Sequence, residues 1–124
     1  MSELNLKTRY TDEELEEFDQ LLVEKLDKAK EQLSFYLGQL QDLAENPDSK
    51  IKGLDDGIST TETERLTTLA GRTKKHIQHL ENARIRIKNK VYGVCRVTGK
   101  LISKERLRAV PHATLSIEAK QQQV

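Results

Sequence analysis

Apolar residues recur every three or four positions from Leu15 onward: Leu15, Phe18, Leu22, Leu26, Ala29, Leu33, Tyr36, Leu40 and Leu43. That is the period of one helix face, with the step of four repeated once, as in a coiled-coil stripe with a single slip. Thr11-Asp12-Glu13-Glu14 marks its start as a capping box: the Thr11 hydroxyl can accept from the Glu14 amide while the Glu14 carboxylate reaches back. Acids crowd the first turns at Asp12, Glu13, Glu14, Glu16, Glu17 and Asp19, where the helix dipole favours them. The spacing predicts a helix from residue 12 to about 44, on the order of 50 Å long at about 1.5 Å per residue.

A second stripe runs through Leu66, Leu69, Thr73, Ile77, Leu80, Ala83 or Arg84, and Ile87. Ser59-Thr60-Thr61-Glu62 reads as its capping box, giving a helix over about 60–89. Between the stripes, Glu45-Asn46-Pro47-Asp48-Ser49, Gly53 and Gly57 break any period, so 45–58 reads as a loop carrying Asp55 and Asp56. Two long amphipathic helices on a short connection bury their stripes as an antiparallel hairpin, or against a second chain. Thr73, with His76 beside it, weakens the second seam.

Beyond Lys90 the pattern changes. Tyr92 to Val97 and Lys100 to Ile102, around Thr98-Gly99, read as a small β-hairpin. A helical turn at Ser103 to Arg108 ends before Pro111, and a last helix at about 114–121 turns Leu115 and Ile117 inward. The organisation expected is mainly α: a flexible lead-in at 1–10, a coiled-coil hairpin at 11–90, a small globular base at 91–120 and a tail at 121–124.

Composition narrows the chemistry. Hydrophobic residues make up 35% and charged residues 33% of 124 positions, with no Trp, which suits long solvated helices better than a thick core. A net charge of +1 does not argue for nucleic acid, although Arg84, Arg86, Lys88, Lys90, Arg96, Lys100, Lys104, Arg106 and Arg108 form a basic run that could meet phosphate or an acidic surface. No recognised DNA-reading motif accompanies it. A single cysteine precludes an internal disulfide and fits a reducing cytoplasm, and no apolar run suits a signal peptide or a membrane span. Glycine-rich phosphate loops, nucleophile elbows and H-E-x-x-H are absent, so no enzyme is expected. His76 and His79, three apart, form a surface pair or at most a partial metal site.

The residues after Lys90 are spaced like a zinc knuckle stripped of its ligands. A C-x2-C, gap, C-x2-C site would use Cys95 and positions 98, 116 and 119, but the last three are Thr98, Ser116 and Ala119, which supply no thiolate. Tyr92-Gly93-x-Cys95, Gly99, Arg106-Leu107-x-Ala109-x-Pro111 and Ala113 nevertheless keep a spacing that resembles the TraR/DksA family. The resemblance implies a coiled-coil hairpin on a zinc-finger-like base, here with the zinc lost and no cofactor. Val94, Val97, Leu101, Ile102, Leu107, Val110, Leu115 and Ile117, packing on Ile85, Ile87 and the start of the first helix, are the expected substitutes for the metal. A residual site using Cys95 and His112 is the rival expectation.

The resemblance also implies a transcription regulator that binds RNA polymerase as a monomer and inserts the hairpin into its secondary channel. Sequence-specific DNA contact and a membrane are not expected, since neither a reading motif nor a long apolar run is present. The acidic tip would be Asp55, Asp56 and Gly57, with Lys52 near the family's other tip aspartate. Arg72, Arg106 and Lys120 coincide with basic family positions. Some relatives bind guanosine tetraphosphate in a composite site with polymerase; here His79 and Val110 stand where cations are expected, and Lys120 remains. A structural coiled-coil adaptor that dimerises through the two stripes is the competing reading.

Overall fold

The structure, a computed structural model, describes residues 9–45 and 56–122. Two long helices, α1 (Asp12–Glu45) and α2 (Asp56–Lys88), are followed by two short ones, α3 (Lys104–Ala109) and α4 (Ile117–Gln121). The Thr11 capping box forms as its sequence requires: the Glu14 amide donates to Thr11 Oγ1 at 3.1 Å and the Thr11 amide to Glu14 Oε1 at 3.0 Å. Every residue of the first stripe is buried or half-buried. In α2 the seam is Leu66, Ala70, Thr73, Ile77, Leu80 and Ala83, so Ala83 rather than Arg84 takes the inward position. Thr73 is tolerated there because its hydroxyl donates to the Leu69 carbonyl at 2.9 Å, which satisfies the polar atom within its own helix.

Compactness divides the chain into Met1–Leu26 with His79–Val124, and Asp27–Gln78. The second unit pairs the two long helices alone: Gln39 and Leu43 of α1 share a groove with Glu62 and Leu66 of α2. In the first unit the same antiparallel pairing is fixed by Asp19 and Arg84, 2.8 Å apart. The knuckle segment closes this unit into a base.

Several expectations need correction. α2 begins at Asp56, not near residue 60, so Ser59-Thr60-Thr61-Glu62 lies inside the helix. Glu62 instead pairs forward with Arg65 at 2.6 Å. Asp56 and Gly57 therefore belong to α2, while Asp55 lies outside the described residues. The expected β-hairpin contracts to a single bridge between Val94 and Leu101. Gly93 and Gly99 adopt φ of 80° and 74°, and these left-handed turns interrupt the extended backbone a hairpin needs. α4 starts at Ile117, leaving Thr114 outside it, and Gln121 is its last residue rather than part of a tail. Ile117, Val97 and Ile85 are exposed rather than core.

Tyr10 is the largest revision. It is 5% exposed and belongs to the core of the base, not to a loose lead-in. Its ring meets Phe18 edge-on at 5.6 Å, and Phe18 in turn leans on Tyr92 at 5.3 Å. The Tyr10 hydroxyl donates to the Ile102 carbonyl, and the fully buried Tyr92 hydroxyl donates to the Pro111 carbonyl at 2.8 Å. Each aromatic thus buries its ring and still satisfies its polar tip. α2 ends in a Schellman motif, with Val91 N donating to Arg86 O and Lys90 N to Ile87 O; Lys90 takes the left-handed position (φ 62°) that glycine usually fills.

Gly93 is required twice over, by its backbone and by its neighbour, since an added Cβ would stand 2.6 Å from the Tyr10 ring. Gly93→Ala is expected to lower stability by roughly 2–5 kcal/mol through left-handed strain and overpacking. Gly71→Ala, where a Cβ meets nothing within 4 Å, is expected to raise it by roughly 0.5–1 kcal/mol. Urea unfolding followed by circular dichroism reads both signs.

Candidate functional site

The four knuckle positions come together, but as a hydrogen-bonded turn. Cys95 is buried, and its Sγ accepts the Ser116 amide at 3.4 Å. The Cys95 amide donates to Lys100 O at 2.8 Å, and Gly99 N returns to Cys95 O at 2.9 Å, closing a loop around the sulfur. Thr98 Oγ1 accepts from Lys100 N at 3.2 Å. Ser116 is the N-cap of α4, its Oγ accepting the Ala119 amide at 3.1 Å. Ala119 is buried and offers no donor atom. One thiol, two hydroxyls already used in capping and turning, and a methyl group do not fit a structural zinc ion. Among the described residues no three His, Cys, Asp or Glu side chains group to hold a metal.

Electrostatics at Cys95 follow from this geometry. Burial pushes the thiol up, but hydrogen bonds from the Thr98 side chain and from the Ser116, Thr98 and Val97 amides outweigh it and bring the pKa down to about 6. The amides that would steady a metal-bound thiolate thus steady a free one.

The base's cations are ordered from α1. Lys104 reaches Glu14 at 2.5 Å and Lys90 reaches Asp12 at 2.9 Å, beside the Asp19–Arg84 pair. The hydrogen bond from Lys104, followed by that from Thr11, holds the Glu14 carboxyl down at about 2. The acids that crowd the first turns of α1 therefore serve the base as well as the helix dipole.

Of the predicted basic positions, Arg106 and Lys120 line one cavity, whereas Arg72 is exposed on α2 within the other unit. The cavity also gathers Arg86, His79 and His112. His79 stacks on His112, with ring centroids 5.5 Å apart. His112 therefore sits with the basic residues, not with Cys95 as a residual metal site. Reading the sequence missed Arg86 as part of this group, because the cavity is assembled from α2, α3, α4 and the Pro111–Leu115 connection. The only sequence signal was a cation on an otherwise alternating helix end. The tip residues Asp56 and Gly57 occupy the first turn of α2.

Known proteins place this arrangement. Residues 90–123 match the prokaryotic dksA/traR C4-type zinc finger. The structure of transcription factor DksA2 from Pseudomonas aeruginosa matches with a TM-score of 0.81 and 28% identity, over 88% of this chain and 81% of that one. Residues 90–123 thus carry the dksA/traR-type segment, and the chain shares the fold of DksA2. General stress protein 16O of Bacillus subtilis (strain 168) is 30% identical over 105 residues, which are 81% of this chain and 64% of that protein. Uncharacterized protein YteA of the same organism is 36% identical over 70 residues, 56% of this chain and 29% of that protein. The chain thus spans less than two thirds of the length of both. Of the four ligand positions of the matched C4-type finger, this chain has cysteine at one.

The thiol sets a pH dependence with a definite sign. A folded pKa of about 6, against an ordinary value of about 8.5, means that the thiolate contributes stability above the unfolded value. That contribution is lost as pH falls through about 6. Cys95→Ser is expected to abolish the rise in stability between those values, read from urea midpoints across pH. Elemental analysis of the purified chain is expected to find no stoichiometric zinc, and a chelator is expected to leave its melting temperature unchanged.

Proposed function

We propose that this chain is a transcription regulator that binds RNA polymerase directly. On this reading the α1–α2 hairpin enters the secondary channel with its acidic connection foremost, and the base stays outside. The observation that carries the reading is the match to transcription factor DksA2 across 88% of the chain, long helices and base together. The residue pattern supports it. Asp55 and Asp56, adjacent in sequence where α2 begins, offer two carboxylates that can perturb a magnesium-containing or basic centre. Arg72, exposed on α2, is available to a partner surface. No catalytic step is assigned to the chain itself. Guanosine tetraphosphate, bound jointly with polymerase, is a secondary expectation that rests on Lys120.

Purified core RNA polymerase should retain the chain in a pull-down, and transcription in vitro should change on its addition. Asp55→Asn combined with Asp56→Asn should keep binding but lose the transcriptional effect. Arg72→Ala should weaken retention without altering the melting temperature. Absence of retention, or a double variant as effective as the parent chain, would remove the tip mechanism.

A further inference from the structure

A second recess of the base, of about 310 Å³, is lined by the turn at 98–103, α3 and the start of α4. Arg106 is shared with the basic cavity, but neither Arg86, Lys120 nor either histidine lines this one. Its charges are of both signs. Lys100 and Arg106 supply two cations and Glu118 one carboxylate. None of the three belongs to an ion pair among the described residues, although they line the same space.

Hydrogen bonding leaves the cationic side rich in donors. Arg106 Nε is spent on the Leu115 carbonyl at 2.8 Å, which fixes the guanidinium and leaves its two amino groups without a partner among the described residues. Ser103 Oγ accepts the Arg106 amide at 3.2 Å, and Ser116 Oγ accepts the Ala119 amide at 3.1 Å. Both hydroxyl oxygens also belong to the lining; each is occupied as an acceptor, and its hydrogen stays available to donate. The Lys100 ammonium adds three donors, whereas an ionised Glu118 can only accept. The rest of the wall is apolar: Leu101 is half-buried, and Ile117 is 52% exposed.

This arrangement sorts ligands by charge. A plain anion would meet Glu118, and a plain cation would meet Lys100 and Arg106. A molecule that carries a carboxylate and an ammonium side by side answers both. An aliphatic side chain on the same molecule would take the exposed surface of Ile117 out of water. The volume lies near the lower end of the roughly 300–1,000 Å³ usual for small-molecule sites, which favours a ligand of few atoms.

We infer that this recess binds a free α-amino acid with an aliphatic side chain. Its carboxylate is held by Lys100, Arg106 and the two serine hydroxyls, its ammonium by Glu118, and its side chain by Leu101 and Ile117. Because Lys100 and Glu118 are exposed, the expected dissociation constant is about 1 mM. The inference goes beyond the polymerase reading, since it concerns the chain on its own; its failure would leave that reading standing.

The test is an NMR titration of the full chain with L-leucine, run beside leucinamide, which lacks the carboxylate, and 4-methylpentanoate, which lacks the ammonium. Leucine should shift amide signals within 98–103 and 116–118, and each analogue should bind about tenfold more weakly. Glycine, which has no side chain to cover Ile117, should also be about tenfold weaker. Glu118→Gln should weaken leucine about fivefold without weakening 4-methylpentanoate, and Lys100→Gln should weaken leucine about as much without weakening leucinamide. Both positions are exposed, so folded circular dichroism is expected of each variant. If either variant fails to fold, the analogue series on the parent chain decides alone. No shifts at the recess with leucine, affinity for either analogue or for glycine equal to that for leucine, or folded variants that both bind leucine as the parent does, would overturn the proposal.

Discussion

The base is held shut by one contact made across the length of the chain. Tyr10, two residues before α1, lays its ring over Gly93 and hydrogen-bonds the Ile102 carbonyl, 92 positions away in sequence. That contact ties the start of α1 to the turn that follows α2. Phe18 and Tyr92 extend it inward, Leu107 flanks it at Gly93, and Leu115 and Ala119 are buried in the same base. A zinc ion in a C4 knuckle fixes four points through bonds to one centre. Here apolar area does comparable work from outside the knuckle, because α1 and α2 supply surfaces that an isolated finger lacks. Fully burying each large side chain contributes roughly 1.5–3 kcal/mol before entropy, so a handful suffices to replace the metal's contribution.

The polar remainder of the metal site follows from the same logic. A buried sulfur needs donors, and the loop that frames the metal in a C4 finger provides them here as amides. Ser116 keeps a capping role that the helix requires whether or not a metal is near. Thr98 keeps the turn. Loss of three thiols thus leaves the backbone path intact, since that path was set by the left-handed glycines and the capping hydrogen bonds.

How much of this was legible depends on the range of the interaction. The stripes of α1 and α2 were legible because a three-to-four spacing repeats over many turns, and each repeat reports the same face. The start of α2 at Asp56 was not: a capping motif permits a helix start but does not forbid extension toward an earlier acidic residue. The β-hairpin was misread because β-branched residues signal extension while Gly93 and Gly99 turn the chain within the same few positions. Tyr10 lay before any period, and its partners Gly93 and Ile102 are far off in sequence, so nothing local marked it as core. The cavity around Arg86 was illegible for a similar reason, being built from three helices and a connection. The family spacing, by contrast, survived because Gly93, Arg106 and Pro111 each meet a backbone or packing demand that a thiol in place of Thr98 would not change.

The net charge of +1 conceals a segregation that bears on what the base can bind. α1 neutralises the cations on its own side through Asp12, Glu14 and Asp19. It does not reach Arg86, Arg106 or Lys120. A zinc ion bound by four thiolates carries net negative charge, and such a cluster would lie close to Arg106, which lines both the basic cavity and the neighbouring recess beside Thr98 and Ser116. With Thr98, Ser116 and Ala119 in place of thiolates, most of that negative charge is gone, and only the Cys95 thiolate remains. Removal of the metal site is therefore not electrostatically silent. It leaves a stronger positive field around Arg106 than a metal–thiolate cluster would.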